Sequence, residues 1–439
     1  MNKTLLILCS LVLISTMLGV LPTILHGVPP GHVDTAFHIA IGLDVQEGNI
    51  KSLAHQWWHL RNHEHYEDAH LVNRYQTRFV YPPLIHVLLA ITYIFIPVGI
   101  GTAGLIAALY ALSIPAIYSL LRSFDVSTPQ ALVGAAIMTV STPLLYSQHA
   151  GFWTFAIALN FASLSYASIR YHKVAPSIFF GVCAVLTHWV FFAGVITVIL
   201  VEWVHRKNDS AKTVLLVVSS ICIPLLIGTI MLSSWPYIGT SHTLVHLDNI
   251  ILIIAAMIGA WHVRNTIPEV VLYAAITSII VLGHSVGLIT IIFSDMLQYA
   301  VPYFVASFAA LGIKHSRRAL RPLMLFLVGI GIILATASSL TAVLQVEPSI
   351  SDEELTSLLE VRQELILTTE DIIFWEIETY PGWIVVLSKD ARIAYPFSLQ
   401  EEPNLARFYT LYTAYNLTEP VQGNKIVIQS KNNTIIAST

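Results

Sequence analysis

The chain is poor in charge. Of its 439 residues only 11% are Asp, Glu, Lys or Arg, while 55% are hydrophobic. A soluble domain carries about 25% charged residues, so a single water-soluble fold is excluded and a polytopic membrane protein is expected. Cysteine is scarce too: Cys9, Cys183 and Cys222 all lie in apolar stretches, which leaves neither a disulfide framework nor a cysteine metal site. Internal repeats and low-complexity segments are missing, and the lack of repeats argues against a transporter built from duplicated halves. Basic residues are short in the tail, where residues 346–439 hold 6 Lys/Arg against 14 Asp/Glu and no run long enough to span a bilayer. An acidic tail of this kind excludes nucleic acid as an expected partner.

What is present is a series of apolar runs. They lie near 4–25, 102–121, 129–145, 153–170, 212–232, 248–262, 268–283, 297–313 and 322–344, with two ambiguous stretches at Pro82–Ile100 and Val174–Val204. The first run follows Met1-Asn2-Lys3 like a signal peptide, but its apolar length of about 22 residues exceeds a typical h-region, so a retained first helix is expected. Charge parity orders the rest. The eleven Lys/Arg between residues 100 and 346 fall on one face if Val174–Val204 crosses twice, breaking near Thr187-His188, and if Pro82–Ile100 is a juxtamembrane or re-entrant helix.

The expected fold is therefore an all-α polytopic membrane protein of about eleven crossings with a small external α/β C-terminal domain. The transmembrane domain would cover residues 1–345, with a large external loop at 26–100, and the external domain 346–439. The N-terminus would be cytoplasmic and the tail extracytoplasmic, where the sequons at Asn416 and Asn432 could be glycosylated. In the tail, Asp352–Gln363 reads as a helix opened by Ser351 with Glu354 placed for a capping box. Trp383–Leu387 and Ile426–Gln429 read as strands.

With this topology, 14 of the 18 histidines lie outside or at outer helix ends, and none is in the tail. Histidine titrates near neutrality and binds phosphate and metals, which marks the outer face as the working one. Just after the first helix, Asp34 and His38 are four residues apart and share a helix face. A carboxylate at the membrane interface beside an imidazole suits general-base work; an N-cap or exposed loop acid is the plain alternative. Gly48 is placed to close that helix.

Further along, His55, His59 and His63 recur every four residues and could offer an imidazole stripe to a divalent metal. The other reading is the solvated face of a surface helix, so no cofactor is fixed by the sequence. Arg74 and Arg78 are outer arginines against an inner basic bias, and an anionic phosphate, of a substrate or of a lipid headgroup, accounts for them. Tyr81-Pro82-Pro83-Leu84 opens the ambiguous helix, and Asp295 through Gln298 enters a late one. Asp295 is a functional candidate by its depth, or a helix cap. His188 sits in an apolar context that loop composition does not explain.

A first helix leading into a large external loop with an early Asp34, the Tyr81-Pro82-Pro83 entry, about eleven spans and a small external tail together resemble the GT-C membrane glycosyltransferases. Within them, the Asp-x-x-x-His spacing at Asp34 and His38, Leu186-Thr187-His188, and Trp383 with Ala394-Tyr395-Pro396 resemble the prokaryotic pyruvoyl-tetrahydropterin-synthase-related membrane proteins. The resemblance implies a polyprenyl-phosphate-linked sugar as donor and inverting transfer at the outer face to an acceptor glycan, lipid or protein. It also implies that Asp34 is the base, that His38 orients it or contacts phosphate, and that Arg74 and Arg78 hold the donor phosphate. Tyr81, His188, Asp295 and Gln298 would be further substrate contacts. The chain departs from relatives in lacking Asp-x-Asp in the early loop and the Trp-Trp-Asp-Tyr-Gly signature, which argues against metal-dependent versions and against transfer of a whole glycan to Asn. A lipid-linked-sugar transporter or flippase, a metal-dependent membrane hydrolase and a non-catalytic scaffold are the competing readings.

Overall fold

A computed structural model describes residues 3–30, 33–53, 82–188, 191–204, 206–232, 250–264, 299–348, 350–364, 372–376, 392–394, 425–431 and 434–438. It divides into two compact units, Met1–Leu21, Ala103–Leu226 and Thr240–Val346 in one, and Pro22–Thr102, Ile227–Gly239 and Glu347–Thr439 in the other.

The first unit is helical among its described residues. Most of α1 (Lys3–His26) and the end of α4 (Val98–Ala111) lead to α5 (Ser113–Ser123), α6 (Thr128–Thr139), α7 (Thr142–Ala150) and α8 (Trp153–Arg170). Then come α9 (Val174–Thr187), α10 (Phe191–Val204), α11 (Asp209–Leu232), α12 (Ile250–Val263), α13 (Val301–His315) and α14 (Arg321–Gln345). Proline sets the interruptions. Pro115 has no N–H for the Ala111 carbonyl and Pro143 none for that of Thr139, so the ladder loosens between α4 and α5 and bends by 41° between α6 and α7. By length and apolarity, three described segments suit a crossing, α1, Val98–Ser123 and α14, and the bent α6–α7 pair makes a fourth.

The break expected at Thr187-His188 is present. His188 leaves the helix in an extended conformation (φ −154°, ψ 117°), and α10 starts at Phe191. Helices α9 and α10 have 14 residues each, about 21 Å at 1.5 Å per residue and short of a hydrocarbon core of about 30 Å. Pro82–Ile100 is likewise interrupted, because α3 (Leu84–Tyr93) has 10 residues and α4 starts only at Val98.

Several basic residues of this unit lie at or just past helix C-termini. Arg170, at the end of α8, donates from Nε to the Ser123 carbonyl at the end of α5 (3.0 Å) and from Nη1 to Glu202 Oε1 near the end of α10 (3.1 Å). Arg206 holds the same Glu202 oxygen at 3.1 Å, and Lys314, at the end of α13, donates to the Asp125 carbonyl (2.9 Å). Cations at helix C-termini meet unpaired carbonyls and the negative end of the dipole. The opposite ends of α8 and α9 also meet, with Phe155 edge-on to His188. Midway, Asn160 donates to the Leu109 carbonyl (2.8 Å) and accepts from the buried Tyr303 hydroxyl.

The second unit contains α2 (Val33–Gln46), α3 and the tail. Helix α2 is buried all round from Thr35 to Asp44. It stops where Gly48 turns to φ +91°, with Gly48 N–H on the Val45 carbonyl (3.1 Å) and Asn49 N–H on that of Asp44 (2.8 Å). Those two bonds make a Schellman end that favours glycine. In the tail, α15 (Asp352–Glu364) opens on the expected capping box: Glu354 N–H donates to Ser351 Oγ (3.1 Å) and Ser351 N–H to Glu354 Oε2 (2.9 Å). Four strands, β1 (Ile372–Glu376), β2 (Arg392–Ala394), β3 (Lys425–Lys431) and β4 (Thr434–Ser438), form one sheet in the order β2-β1-β3-β4. Strand β1 is parallel to β2 and β3, and β3 pairs antiparallel with β4. The strand expected at Ile426–Gln429 lies within β3; Trp383–Leu387 and the sequon asparagines lie outside the described residues.

Candidate functional site

The early Asp-x-x-x-His pattern falls on α2, as its spacing requires: Asp34 is the second residue of the helix and His38 follows one turn later. His38 is 1% exposed, and its Nδ1 stands 2.9 Å from Nε2 of His86 on α3. The two rings are tilted with centroids 5.1 Å apart, so one ring N–H bridges them, donated by one imidazole and accepted by the other. Nδ1 of His86 has no hydrogen-bond partner among the described residues. Desolvation pushes His38 down from 6.5 to about 3 and His86 well below its ordinary value, the His86 shift reinforced by His38.

Both imidazoles are thus neutral at physiological pH, and acid must charge them against their burial. Their folded pKa lies below the unfolded one, so their contribution is present above about pH 6.5 and is lost as pH falls toward 3. Well below 6.5 each group lowers stability by about 1.4 kcal/mol per pH unit. Thermal melts between pH 7.5 and 5 should show a steep fall in Tm that the His86→Gln variant, with one titrating ring fewer, makes shallower. Parallel slopes for the two proteins would contradict the pairing.

At the other end of α2 stands a buried ion cluster that the sequence reading did not anticipate. Arg362 of α15 donates from Nη2 to Asp44 Oδ1 (2.8 Å), from Nε to Glu47 Oε1 (2.7 Å) and from Nη2 to Glu47 Oε2 (3.0 Å). The side chains of Arg362 and Asp44 are each 1% exposed and that of Glu47 33%. Beside it opens a cavity of about 330 Å³ lined by Gln46, Glu47, Tyr93, Ile94–Val98, Leu359, Arg362 and Gln363. Part of the signal was present: Asp44 in the last turn of α2 and Glu47 just past its end are three residues apart, and Arg362 continues the stripe of Leu355 and Leu358, but neither segment names the other as its partner. The His86 contact had no local signal, since 48 residues separate the two rings.

Of the other candidates, the structure describes His188. His188 is buried at the α9–α10 break against Phe155 in the other compact unit. His55, His59, His63, Arg74, Arg78, Tyr81, Asp295 and Gln298 lie outside the described residues. Among the described residues, no group of three or more His, Cys, Asp or Glu is placed to hold a metal ion.

Whole-chain comparison with solved structures shows the fold to be similar to those of an oligosaccharyltransferase and of ArnT. The Archaeoglobus fulgidus oligosaccharyltransferase in its apo form superposes with a TM-score of 0.60 at 12% identity, over 97% of this chain and 69% of that one. The same enzyme in complex with Zn and sulfate gives 0.53 at 13% identity, over 96% and 67%. ArnT from Cupriavidus metallidurans bound to undecaprenyl phosphate gives 0.52 at 11%, over 98% of this chain and 93% of that one. In sequence, no family model and no curated protein matches.

Proposed function

We propose that the protein is an inverting membrane glycosyltransferase that moves a sugar from a polyprenyl-phosphate donor to an acceptor hydroxyl at the outer face of a cell membrane. One observation carries this reading: nearly the whole chain, 98%, takes the fold of a protein crystallised with undecaprenyl phosphate, with an Asp-x-x-x-His helix directly after the first apolar helix. In this reading the N-terminus is cytoplasmic, and eleven crossings place α2, α3 and an α/β tail domain (346–439) outside. The Asp-x-x-x-His spacing puts the chain nearest the pyruvoyl-tetrahydropterin-synthase-related group.

The chemistry follows from the residue types. The acceptor oxygen attacks the anomeric carbon from the face opposite the phosphate, the C1–O bond to phosphate breaks, and polyprenyl phosphate leaves. Asp34 takes the hydroxyl proton as that oxygen becomes nucleophilic. His38 is held through Nδ1 by His86, which fits an orienting role on α2 better than a phosphate contact. Arg74 and Arg78 clamp the donor phosphate as charge develops on it. Tyr81, His188, Asp295 and Gln298 complete the substrate contacts, and His55, His59 and His63 are the residues that would take a divalent metal. The acidic tail fits a neutral or basic acceptor better than nucleic acid.

Donor binding is the direct check of the substrate class. Purified protein in lipid nanodiscs should be stabilised by micromolar undecaprenyl phosphate, by 2 °C or more in Tm ("~2 °C" being the scale of a ligand near ten times its Kd). Undecaprenol without the phosphate should give no shift. Equal shifts with both lipids, or none with either, would count against a phosphate-reading site.

A further inference from the structure

Asp44 is a buried carboxylate on the helix that carries Asp34, and its partner comes from 318 residues further along the chain. A lone buried carboxylate is strongly unfavourable, whereas one that is paired and hydrogen-bonded is tolerated. The planar guanidinium of Arg362 grips Glu47 through two nitrogens and reaches Asp44 with one of them, a forked geometry that an ammonium cannot reproduce. Leu355, Leu358 and Arg362 lie at i, i+3 and i+7 on α15, and all three are buried at 3%, 0% and 1% exposure. The apolar stripe buries the tail helix on one side, and the guanidinium ties it to the C-terminal end of α2.

We propose that Arg362 is a positioning residue: through Asp44 and Glu47 it holds α2, and with it Asp34, in its working place. The catalytic part rests on the transferase reading, with Asp34 as base; the anchoring part does not. Arg362 sits near the C-terminal end of α2, ten residues from Asp34, about 15 Å along a helix at 1.5 Å per residue. It therefore acts through the helix and not by touching substrate.

The test uses the full chain in nanodiscs with Arg362→Gln, Arg362→Lys and the neutralised triple variant Asp44→Asn/Glu47→Gln/Arg362→Gln. Two readouts are taken: amide hydrogen exchange across residues 33–46, and kcat and KM with an undecaprenyl-phosphate sugar. Arg362→Gln should raise exchange at least tenfold across α2 and lower kcat at least tenfold, with donor KM within threefold of wild type. Arg362→Lys should recover part of both. The triple variant, free of unpaired charge, should fold and show intermediate exchange, which keeps the test decisive if Arg362→Gln does not fold. Unchanged exchange in α2 for Arg362→Lys and the triple variant would overturn the proposal, as would a raised KM at unchanged kcat, which would make Arg362 a substrate contact. Loosened α2 in variants of a protein whose wild type turns over no donor would uphold the anchor and instead bring down the transferase reading.

Discussion

Asp34→Asn is expected to lower kcat by about 10³-fold while leaving donor KM within threefold. General-base catalysis contributes typically 10²–10⁴, and the amide keeps the size and shape of the carboxylate while losing its basicity. The substitution lies in the first turn of α2, so the buried stretch from Thr35 to Asp44 and the Arg362 cluster at its far end stay as they are. Hence the fold should survive, and Tm should stay within about 1 °C, because the amide keeps the size and shape of the carboxylate. The pH profile separates a base from a structural acid. In the wild type, activity should fall on the acid side, as it does for a reaction that needs a free base, and the residual activity of Asp34→Asn should lack that limb. Loss of activity with an unchanged acid limb would assign the base elsewhere.

The second large effect is on the fold. Helices α12 and α13 approach so closely at Gly259 that a methyl group there would overlap the Phe308 carbonyl oxygen, and one on Gly312 would stand 2.8 Å from the Gly259 Cα. The obstacle is main chain on both sides, so no rotamer change relieves it and the helices must separate. Overpacking costs about 1–3 kcal/mol, occasionally more, and this contact belongs to the upper end because the atoms cannot yield. Gly259→Ala should therefore destabilise by about 3 kcal/mol and reduce the yield of folded protein. Gly329→Ala on α14 is the control: nothing stands within 4 Å of a Cβ there, and alanine's better helix propensity should stabilise by up to about 1 kcal/mol. Thermal unfolding in one detergent compares the two directly. Equal stability of Gly259→Ala and wild type would mean the helices do not meet at this point.

Much of the architecture was legible because it is local or periodic. The end of α2 was marked by Gly48 and the start of α15 by Ser351 and Glu354, both through interactions within about five residues, and the Thr187-His188 break by charge parity along the chain. Of the basic residues that ordered the expected topology, Arg170 and Lys314 both reach the end of α5. What escaped is pairing at long range. Nothing in residues 33–46 says that Asp44 will be met by an arginine in the tail, or that His38 will be met by His86, because burial of a polar group constrains its partner's chemistry and not its place in the sequence. Hydropathy counts residues and does not show where an apolar run bends or breaks, as the 41° bend at Pro143 and the 94–97 turn do. Among the described residues, three helices, or four with the bent α6–α7 pair, are of crossing length; the eleven crossings belong to the proposed topology.

The measurement that bears most directly on the proposed chemistry is turnover. Purified full-length protein would be given a panel of undecaprenyl-phosphate sugars with glycan, lipid and peptide acceptors, and release of undecaprenyl phosphate would be followed by mass spectrometry. The expected result is release that requires both a sugar-loaded donor and an acceptor, with one anomer of the product formed by inversion at C1. Tight binding of every donor with no release from any would contradict the enzyme reading and point to a protein that carries or senses the lipid.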